Sequence, residues 1–294
     1  MSEHEIDDVT GVDTTGHEWD GIKELNNPLP RWWLWTFYAT IIFSIGYMVY
    51  YPSIPLIDGS TNGISGITNR SLLKAETEAV AAARKEIETK LASTEITDIQ
   101  KDEELTRYAS AGGESLFKVY CSQCHGSGAA GGPGYPNLND DDWLWGGDLE
   151  AIYTSIAHGV RHQGDDDTRE SEMPAFGADE LLERDDISAV TEFVLKISNQ
   201  EHDSELATKG EAVFADNCAA CHGEAGKGGR EFGAPNLADA ISLYGNTRPT
   251  IAAQIARPKH GVMPAWLDRL GDASVKQLTI YVHGLGGGEK TVTE

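Results

Sequence analysis

The sequence is 294 residues long, has a formal net charge of −24 and contains four cysteines. This length predicts about two domains with additional segments, and so acidic a chain is unsuited to nucleic acid because phosphate would be repelled. The acidity would instead steer a basic protein partner toward the chain, or it reflects a surface adapted to a salty medium; composition leaves both open.

The chain opens with a polar, acidic segment, residues 1–30, which ends in a proline-punctuated stretch before Arg31. It lacks the basic region with which a secretory signal peptide begins. We therefore expect an N-terminal tail here and no cleaved leader.

An uncharged stretch of twenty residues, 32–51, follows this tail. It is long enough to cross a hydrocarbon core of about 30 Å at a helical rise of about 1.5 Å per residue. A buried core helix would seldom be so uniformly apolar, and a signal peptide would be shorter and end in small residues. The pattern predicts an uncleaved membrane anchor over residues 31–52. Aromatic residues of the kind found at membrane interfaces cluster at its two ends: Trp32, Trp33 and Trp35 at one, Tyr47, Tyr50 and Tyr51 at the other.

The segment 53–108 is predicted to be a loop followed by a helical linker. Residues 58–69 are rich in Gly, Ser, Thr and Asn, which indicates an exposed loop. We expect a helix over 71–92 to pack on the domain that follows, with a neighbouring subunit as the alternative, and a short helix near 103–108 to lead into that domain. The apolar stripe of the longer helix is narrow and consists of Leu73, Val80, Ile87 and Leu91.

Two pentapeptides of the pattern C-x-x-C-H contain all four cysteines of the chain. This pattern is the attachment signature of c-type haem, because two thiols three residues apart lie on one face of a helical turn and the next histidine can reach the iron. A thioredoxin-like dithiol needs no histidine there, and a zinc site would not repeat it at the same place. The pattern predicts two covalently bound haem c groups. Their attachment residues are Cys121, Cys124, Cys218 and Cys221, and their histidine ligands are His125 and His222.

The residues around the two motifs also repeat. Gly113-x-x-x-Phe117-x-x-x-Cys121 aligns with Gly210-x-x-x-Phe214-x-x-x-Cys218, and each motif is followed by a Pro-Asn-Leu and a Met-Pro-Ala sequence. Each repeat therefore has the parts of a small cytochrome c, and we expect an all-α protein with two tandem cytochrome c domains, residues 109–201 and 202–294. The predicted helices are 114–120, 149–158 and 184–197 in the first domain, and 206–216, 249–256 and 274–285 in the second.

The sixth iron ligand is predicted from the methionines. Of the four in the chain, Met1 starts the sequence and Met48 lies in the anchor, which leaves Met173 and Met263 at matching points of the two repeats. A thioether ligand raises the potential, and a filled sixth position suits electron transfer rather than oxygen or peroxide chemistry. We take each methionine to bind the haem of its own repeat, although closely packed repeats could exchange these loops. Three histidines are competing donors, which we expect to be hydrogen-bonded or solvated instead: His158, His162 and His260.

The predicted haems also give an orientation. Haem c is attached on the outer face of bacterial membranes, so we expect both haem domains in the periplasm and residues 1–30 in the cytoplasm. The positive-inside rule agrees weakly, because Lys23 and Arg31 flank the near side of the anchor and only Arg70 lies close on the far side. The sequence thus predicts a single-pass protein of the bacterial inner membrane, with membrane lipid as one partner.

Two longer segments give the sequence a specific resemblance. WDGIKELNNPLPRWWLWTFYATII at the anchor and DDDWLWGGDLEAIYTSIAHGVR in the first repeat resemble subunit III of cbb3-type cytochrome c oxidase. The paired CxxCH and MPA motifs complete the resemblance, which covers nearly the whole chain. That family's subunit is a dihaem electron carrier, so the resemblance implies a subunit of the oxidase complex with no catalytic centre of its own.

The resemblance also implies partners and residue roles. Electrons would arrive from a donor cytochrome c and leave to the monohaem subunit, then to the haem–copper subunit that reduces oxygen and pumps protons. Two other functions remain open. A dihaem carrier serving a periplasmic dehydrogenase would share the haem domains but not the Trp-rich anchor, and a dihaem peroxidase would need an open iron. Carried onto this sequence, the family's haem-attaching cysteines are Cys121, Cys124, Cys218 and Cys221, and its axial ligands are His125, His222, Met173 and Met263.

Overall fold

The computed structural model describes residues 5–290 and divides into two compact units, Met1–Ala83 and Arg84–Glu294. The first four residues of the predicted tail and the last four of the predicted second domain lie outside the described residues.

The first unit contains two small antiparallel hairpins that the sequence analysis did not predict. Strands β1 (Thr14–Trp19) and β2 (Ile22–Leu25) form the first hairpin. Their turn is Asp20-Gly21, in which both residues have positive φ, 49° and 83°, as the tight turns of β-hairpins require. The second hairpin consists of the two-residue strands β3 (Pro55–Leu56) and β4 (Gly59–Ser60).

Helix α1 (Arg31–Tyr50) forms where the membrane helix is predicted and is a candidate membrane span. The helix has no buried residue, although it is apolar all round. A helix of a water-soluble domain would bury one apolar face and expose a polar one. The length and composition of α1 are sufficient to cross a membrane.

Helix α2 (Asn69–Ser93) runs across the division between the units. In the second unit, Leu91 is fully buried and Ile87 packs beside it against α3 (Ile96–Ile99) and the first repeat. Leu73 and Val80, by contrast, are 64% and 48% exposed. The predicted packing of this stripe on the following domain is therefore confirmed for Ile87 and Leu91.

The rest of the second unit is built from nine helices within the described residues. Helices α6 and α7 have the predicted bounds, whereas the helices predicted at 103–108 and 114–120 are one continuous helix, α4. The bounds are α4 (Glu103–Tyr120), α5 (Ser122–His125), α6 (Leu149–His158), α7 (Arg184–Ile197), α8 (Ser204–Asn217), α9 (Ala219–His222), α10 (Arg248–Ala256), α11 (Leu267–Leu270) and α12 (Asp272–His283).

Aspartate side chains begin three of these helices. Asp102, Asp148 and Asp203 directly precede α4, α6 and α8, and each accepts hydrogen bonds from two backbone N–H groups of the first turn. The first N–H groups of a helix have no intrahelical partner, so a cap of this kind stabilises the helix by about 1 kcal/mol. The sequence thus fixes locally where the two helices that lead into the C-x-x-C-H motifs begin.

The two attachment helices, α4 and α8, each pair with the final helix of the other repeat. Helix α8 packs against α7, which ends the first repeat, and α4 packs against α12, which ends the second. The contacts are close: a Cβ added to Gly113 would lie 2.1 Å from the carbonyl oxygen of Gln277, and one added to Gly210 would lie 2.0 Å from that of Ala189. Glycine is needed at both crossings because it has no Cβ.

Two apolar cores result from this pairing, and neither is confined to one repeat. The boundary predicted at 201/202 therefore separates sequence repeats rather than independent cores. The first core joins α4 and α6 to α12 through Phe117, Ile152, Ile156, Trp266 and Leu278. The second core joins α7 to α8 and α10 through Phe176, Val190, Phe193, Phe214 and Ile255.

The glycine at the α4–α12 crossing provides a test of the pairing. Gly113→Ala should lower the free energy of unfolding by about 1–3 kcal/mol, because the new methyl group meets backbone that cannot move aside. We expect the Tm of the purified haem-containing chain to fall by about 2–4 °C for each kcal/mol lost. Gly112→Ala is the matched control, since its Cβ would meet only the movable side-chain amide of Gln277. Equal Tm values for the two variants would contradict the crossing.

Candidate haem sites

The first motif lies at the junction of α4 and α5. Helix α4 ends at Tyr120, and the backbone N–H of Cys121 donates to the carbonyl of Phe117 at 2.9 Å. The short helix α5 then carries Cys124 and His125 through one turn. His125 Nδ1 lies 3.1 Å from the carbonyl oxygen of Pro136.

The second motif has the same local geometry. Helix α8 leads to Cys218, α9 carries Cys221 and His222, and His222 Nδ1 lies 3.0 Å from the carbonyl oxygen of Pro235. The following loops also match, because Gly131 and Gly228 donate from their backbone N–H to the carbonyls of His125 and His222, both at 2.8 Å. The repeated prolines noted in the sequence therefore hold the repeated histidines.

These contacts prepare each histidine to bind a metal. A carbonyl oxygen can only accept, so Nδ1 carries the proton and Nε2 is left with a free lone pair. Burial lowers the pKa of His125 and of His222, and the hydrogen bond to the proline carbonyl opposes that shift. The imidazoles are consequently neutral at pH 7, which is the form that ligates iron.

The two thiols of each motif differ in their surroundings. Burial raises the pKa of the Cys121 and Cys218 thiols to about 11, and the second cysteine of each motif adds to the shift. Cys124 and Cys221 are exposed. The first thiol of each motif thus packs against its core, while the second lies at the surface.

Met173 lies at the second motif. It packs against the second core beside Cys218, and Met173, Cys218, Cys221 and His222 all line one cavity. The loop that carries Met173 is held by the second repeat, because the N–H groups of Gly177 and Ala178 donate to the carbonyl of Ala256 at the end of α10, at 3.2 and 3.0 Å.

Met263 lies at the first motif. It packs against the first core, as Cys121 does. Its backbone forms a two-way bridge with Val160, just after α6, since each residue donates to the carbonyl of the other at 3.0 Å. Three residues on, the Trp266 N–H donates to the carbonyls of Ile156 and Ala157 at 3.1 Å.

We expected each methionine to lie at the motif of its own repeat, and the packing of the two methionines shows that this expectation is wrong. Met173 belongs to the first repeat but packs at the second motif, and Met263 belongs to the second repeat but packs at the first motif. The reason is the helix pairing, because each Met-bearing loop leads directly into the final helix that has crossed to the other repeat.

The three competing histidines have different surroundings. His158 Nδ1 lies 3.2 Å from both carboxylate oxygens of Asp165, so this ring has an acidic partner. His260 lines the cavity that also contains Met173 and His222. The backbone N–H of His162 donates to Thr168 Oγ1 at 3.0 Å.

The tryptophans between the first motif and α6 have structural contacts that sequence reasoning did not assign. Trp143 packs against the first core and donates from Nε1 to the carbonyl of Gly287 at 2.7 Å. Its neighbour Leu144 lines the cavity of the second motif. A Cβ added to Gly233 would lie 2.2 Å from the Trp145 ring, so that ring packs on the loop after the second motif. These contacts join residues far apart in the sequence, so no local sequence pattern predicts them.

The donor groups fit haem c at both places. Each motif provides two thiols and a neutral imidazole with a free Nε2, and a methionine from the other repeat packs against the same apolar core as the first thiol. This set matches the covalent attachment and the His/Met ligation found in cytochromes c. The residues that would hold each haem are thus present at both places.

An apolar helix of membrane-spanning length, followed by these domains, defines a membrane-anchored protein of the cytochrome c type that binds haem c. Residues 11–58 match the family described as the N-terminal domain of cytochrome oxidase-cbb3, FixP. Residues 109–194 and 205–282 match cytochrome c oxidase, cbb3-type, subunit III. The chain belongs to this family.

Full-length relatives agree with the family assignment. The cbb3-type cytochrome c oxidase subunit CcoP of Cereibacter sphaeroides is 55% identical over 94% of this chain and 95% of its own length. Subunit FixPc of Rhizobium leguminosarum bv. viciae is 54% identical over 98% of this chain and 100% of its own length. Subunit FixP of Bradyrhizobium diazoefficiens is 46% identical with the same coverage of both chains. The predicted resemblance is therefore confirmed.

Proposed function

We propose that this chain is the dihaem electron-transfer subunit of a cbb3-type oxidase in a bacterial inner membrane. The observation that carries the proposal is the repeated set of two thiols, an oriented histidine and a methionine at each core. The names of the relatives support the oxidase as the complex in which the chain works.

The proposed ligand sets cross the repeats. Cys121 and Cys124 attach the first haem, for which the ligands are His125 and Met263. Cys218 and Cys221 attach the second haem, for which the ligands are His222 and Met173. Haem c held in this way supplies one-electron chemistry, and its thioether ligand favours the ferrous state.

Filled axial positions favour a carrier over an enzyme. With a methionine at each core, the chain's own residues would supply both axial ligands of each iron and would leave no position for oxygen or peroxide. Catalysis then belongs to another subunit, and the role of this chain is to accept and pass on electrons. A dihaem peroxidase, the alternative, would require one iron without a methionine ligand.

The proposed route begins at a donor cytochrome c and continues to the monohaem subunit and the haem–copper subunit. In that subunit, oxygen is reduced and protons are pumped. The match of residues 11–58 to a family domain named for this oxidase supports this route over a carrier that serves a periplasmic dehydrogenase. The membrane anchor would keep the carrier beside its acceptor.

Purification through this chain tests the assignment to the oxidase. In mild detergent, we expect copper and haem b to co-purify with it, together with the monohaem subunit. Pyridine haemochrome on the isolated, denatured chain should give two covalent haems. A dehydrogenase co-purifying in place of copper and haem b would support the alternative carrier, and a single covalent haem would refute the dihaem assignment.

The crossed ligation is tested in chains that keep one haem. The double variant Cys121→Ala/Cys124→Ala should retain only the second haem, with the near-infrared band of methionine–iron ligation. Adding Met173→Ala to it should abolish that band and lower the potential, because the thioether's preference for ferrous iron is lost. Adding Met263→Ala should change neither.

The complementary variant is the control for this experiment. Cys218→Ala/Cys221→Ala should retain the first haem, and its near-infrared band should then depend on Met263 and not on Met173. If each band instead depended on the methionine of the same repeat, the crossed assignment would be wrong. If neither methionine mattered, His260, which lines the second cavity, would be the first alternative ligand to test there.

The orientation of the anchor is tested with cysteines placed on either side of it. The natural cysteines are consumed by haem, so an introduced thiol is the only one that reacts with a membrane-impermeant maleimide. In spheroplasts, Ile57→Cys should be labelled, while Val9→Cys should be labelled only after lysis; both positions are highly exposed, at 102% and 92%. Labelling of Val9→Cys in intact spheroplasts would reverse the proposed topology.

A further inference from the structure

One arginine side chain connects the two methionine-bearing loops. Arg161 follows α6, and its Nε donates to the carbonyl of Gly261 at 2.7 Å. Its Nη1 donates to the carbonyl of Ser171 at 2.9 Å. Gly261 stands two residues before Met263, and Ser171 stands two residues before Met173. The same guanidinium group thus reaches the equivalent carbonyl in both loops.

The backbone around Arg161 is held in place independently of this side chain. Val160 is bridged to Met263, and the N–H of Arg161 donates to the carbonyl of Arg169 at 2.9 Å. Arg161 itself has a positive φ of 54°, a conformation that costs a residue with a side chain some free energy. The backbone is thus fixed in a less favourable conformation at the residue whose side chain bonds to both loops.

The surroundings of the guanidinium strengthen its hydrogen bonds. Arg161 is half-buried and lines the cavity that contains Met173 and His222. Burial lowers the pKa of Arg161, and the nearby Tyr244 and Glu172 oppose this shift. An arginine remains charged at neutral pH in any case. A charged donor in partly desolvated surroundings forms stronger hydrogen bonds than a neutral one.

We propose that Arg161 is a positioning residue that holds both methionine loops at once and thereby couples the axial ligation of the two haems. The inference rests on the crossed ligation proposed above. Since both carbonyls bond to a single planar group, a displacement of either loop strains the hydrogen bond to the other. Loss of the guanidinium should therefore loosen both methionines and not only the one whose cavity it lines.

Arg169 offers a matched contrast in the same loop. Its guanidinium is also half-buried, but it donates to Ser155 Oγ at 3.0 Å and to the carbonyl of Ala151 at 3.2 Å, both on α6. It also lies over the Trp145 ring, 5.2 Å from the centroid. Arg169 therefore has a similar charge and location, with no side-chain hydrogen bond to either methionine loop among those described.

The experiment compares Arg161→Gln, Arg161→Lys and Arg169→Lys in the two single-haem backgrounds defined above. The readouts are the near-infrared band of the ferric chain, the midpoint potential and carbon monoxide binding by the ferrous chain, which reports a detached methionine. For Arg161→Gln we expect an about tenfold rise in the methionine-detached population at each haem, the factor that one charge-assisted hydrogen bond corresponds to.

Arg161→Lys separates positioning from charge. A lysine keeps the positive charge but lacks the planar fork that spans two carbonyls, so it should restore the ligation of at most one haem. Arg169→Lys should leave both haems unchanged. The inference fails if Arg161→Gln affects only the haem of the cavity it lines, if Arg161→Lys restores both haems, or if Arg169→Lys has the same effect. A parent chain without the near-infrared band would instead refute the methionine ligation of the proposed function.

Discussion

The connection between α7 and α8 is the constraint on which the architecture of the second unit depends. Only six residues, 198–203, separate the two helices, and so short a link favours antiparallel packing of the neighbours it joins. Because α7 packs against α8, the attachment helix of the second repeat, it is not available to α4. Helix α4 packs against α12 instead. The interlocked cores and the exchanged methionine loops both follow from this pairing.

Local features of the structure could be read from the sequence, and long-range pairing could not. The bounds of α6 and α7, the membrane helix and the attachment motifs each depend on residues a few positions apart, such as the cap at Asp148. The partner of α4 depends on a helix more than 150 residues away. The short link before α8 is visible in the predicted helices at 184–197 and 206–216, although the pairing that it favours is not predicted. The Asp20-Gly21 turn of the first hairpin lies in a polar stretch without hydrophobic periodicity, so its strands are not predicted.

The interlocking places the methionine at each haem site far in the sequence from the attachment motif of that site. Both thiols and the histidine of the first motif lie within five consecutive residues, so the attachment site needs only α4 and the following turn. Met263 reaches that site only when the last part of the chain has folded back onto α6, through its bridge with Val160. Closing so long a loop is slower than forming a local turn. With the proposed crossed ligation, Met263 would therefore reach the first site only after most of the chain has folded, whereas the attachment residues are available early.

The same interlocking brings the walls of the two haem sites together, which is what an electron carrier requires. Trp143 packs against the first core, and the next residue, Leu144, lines the second cavity. Consecutive Cα atoms are about 3.8 Å apart, so the two sites share a wall at this point. Two independent cytochrome domains on a flexible linker would have to meet by diffusion before each transfer. Here the exchange of final helices fixes the separation of the two sites, and in the proposed dihaem carrier an electron would pass between them without any rearrangement of the chain.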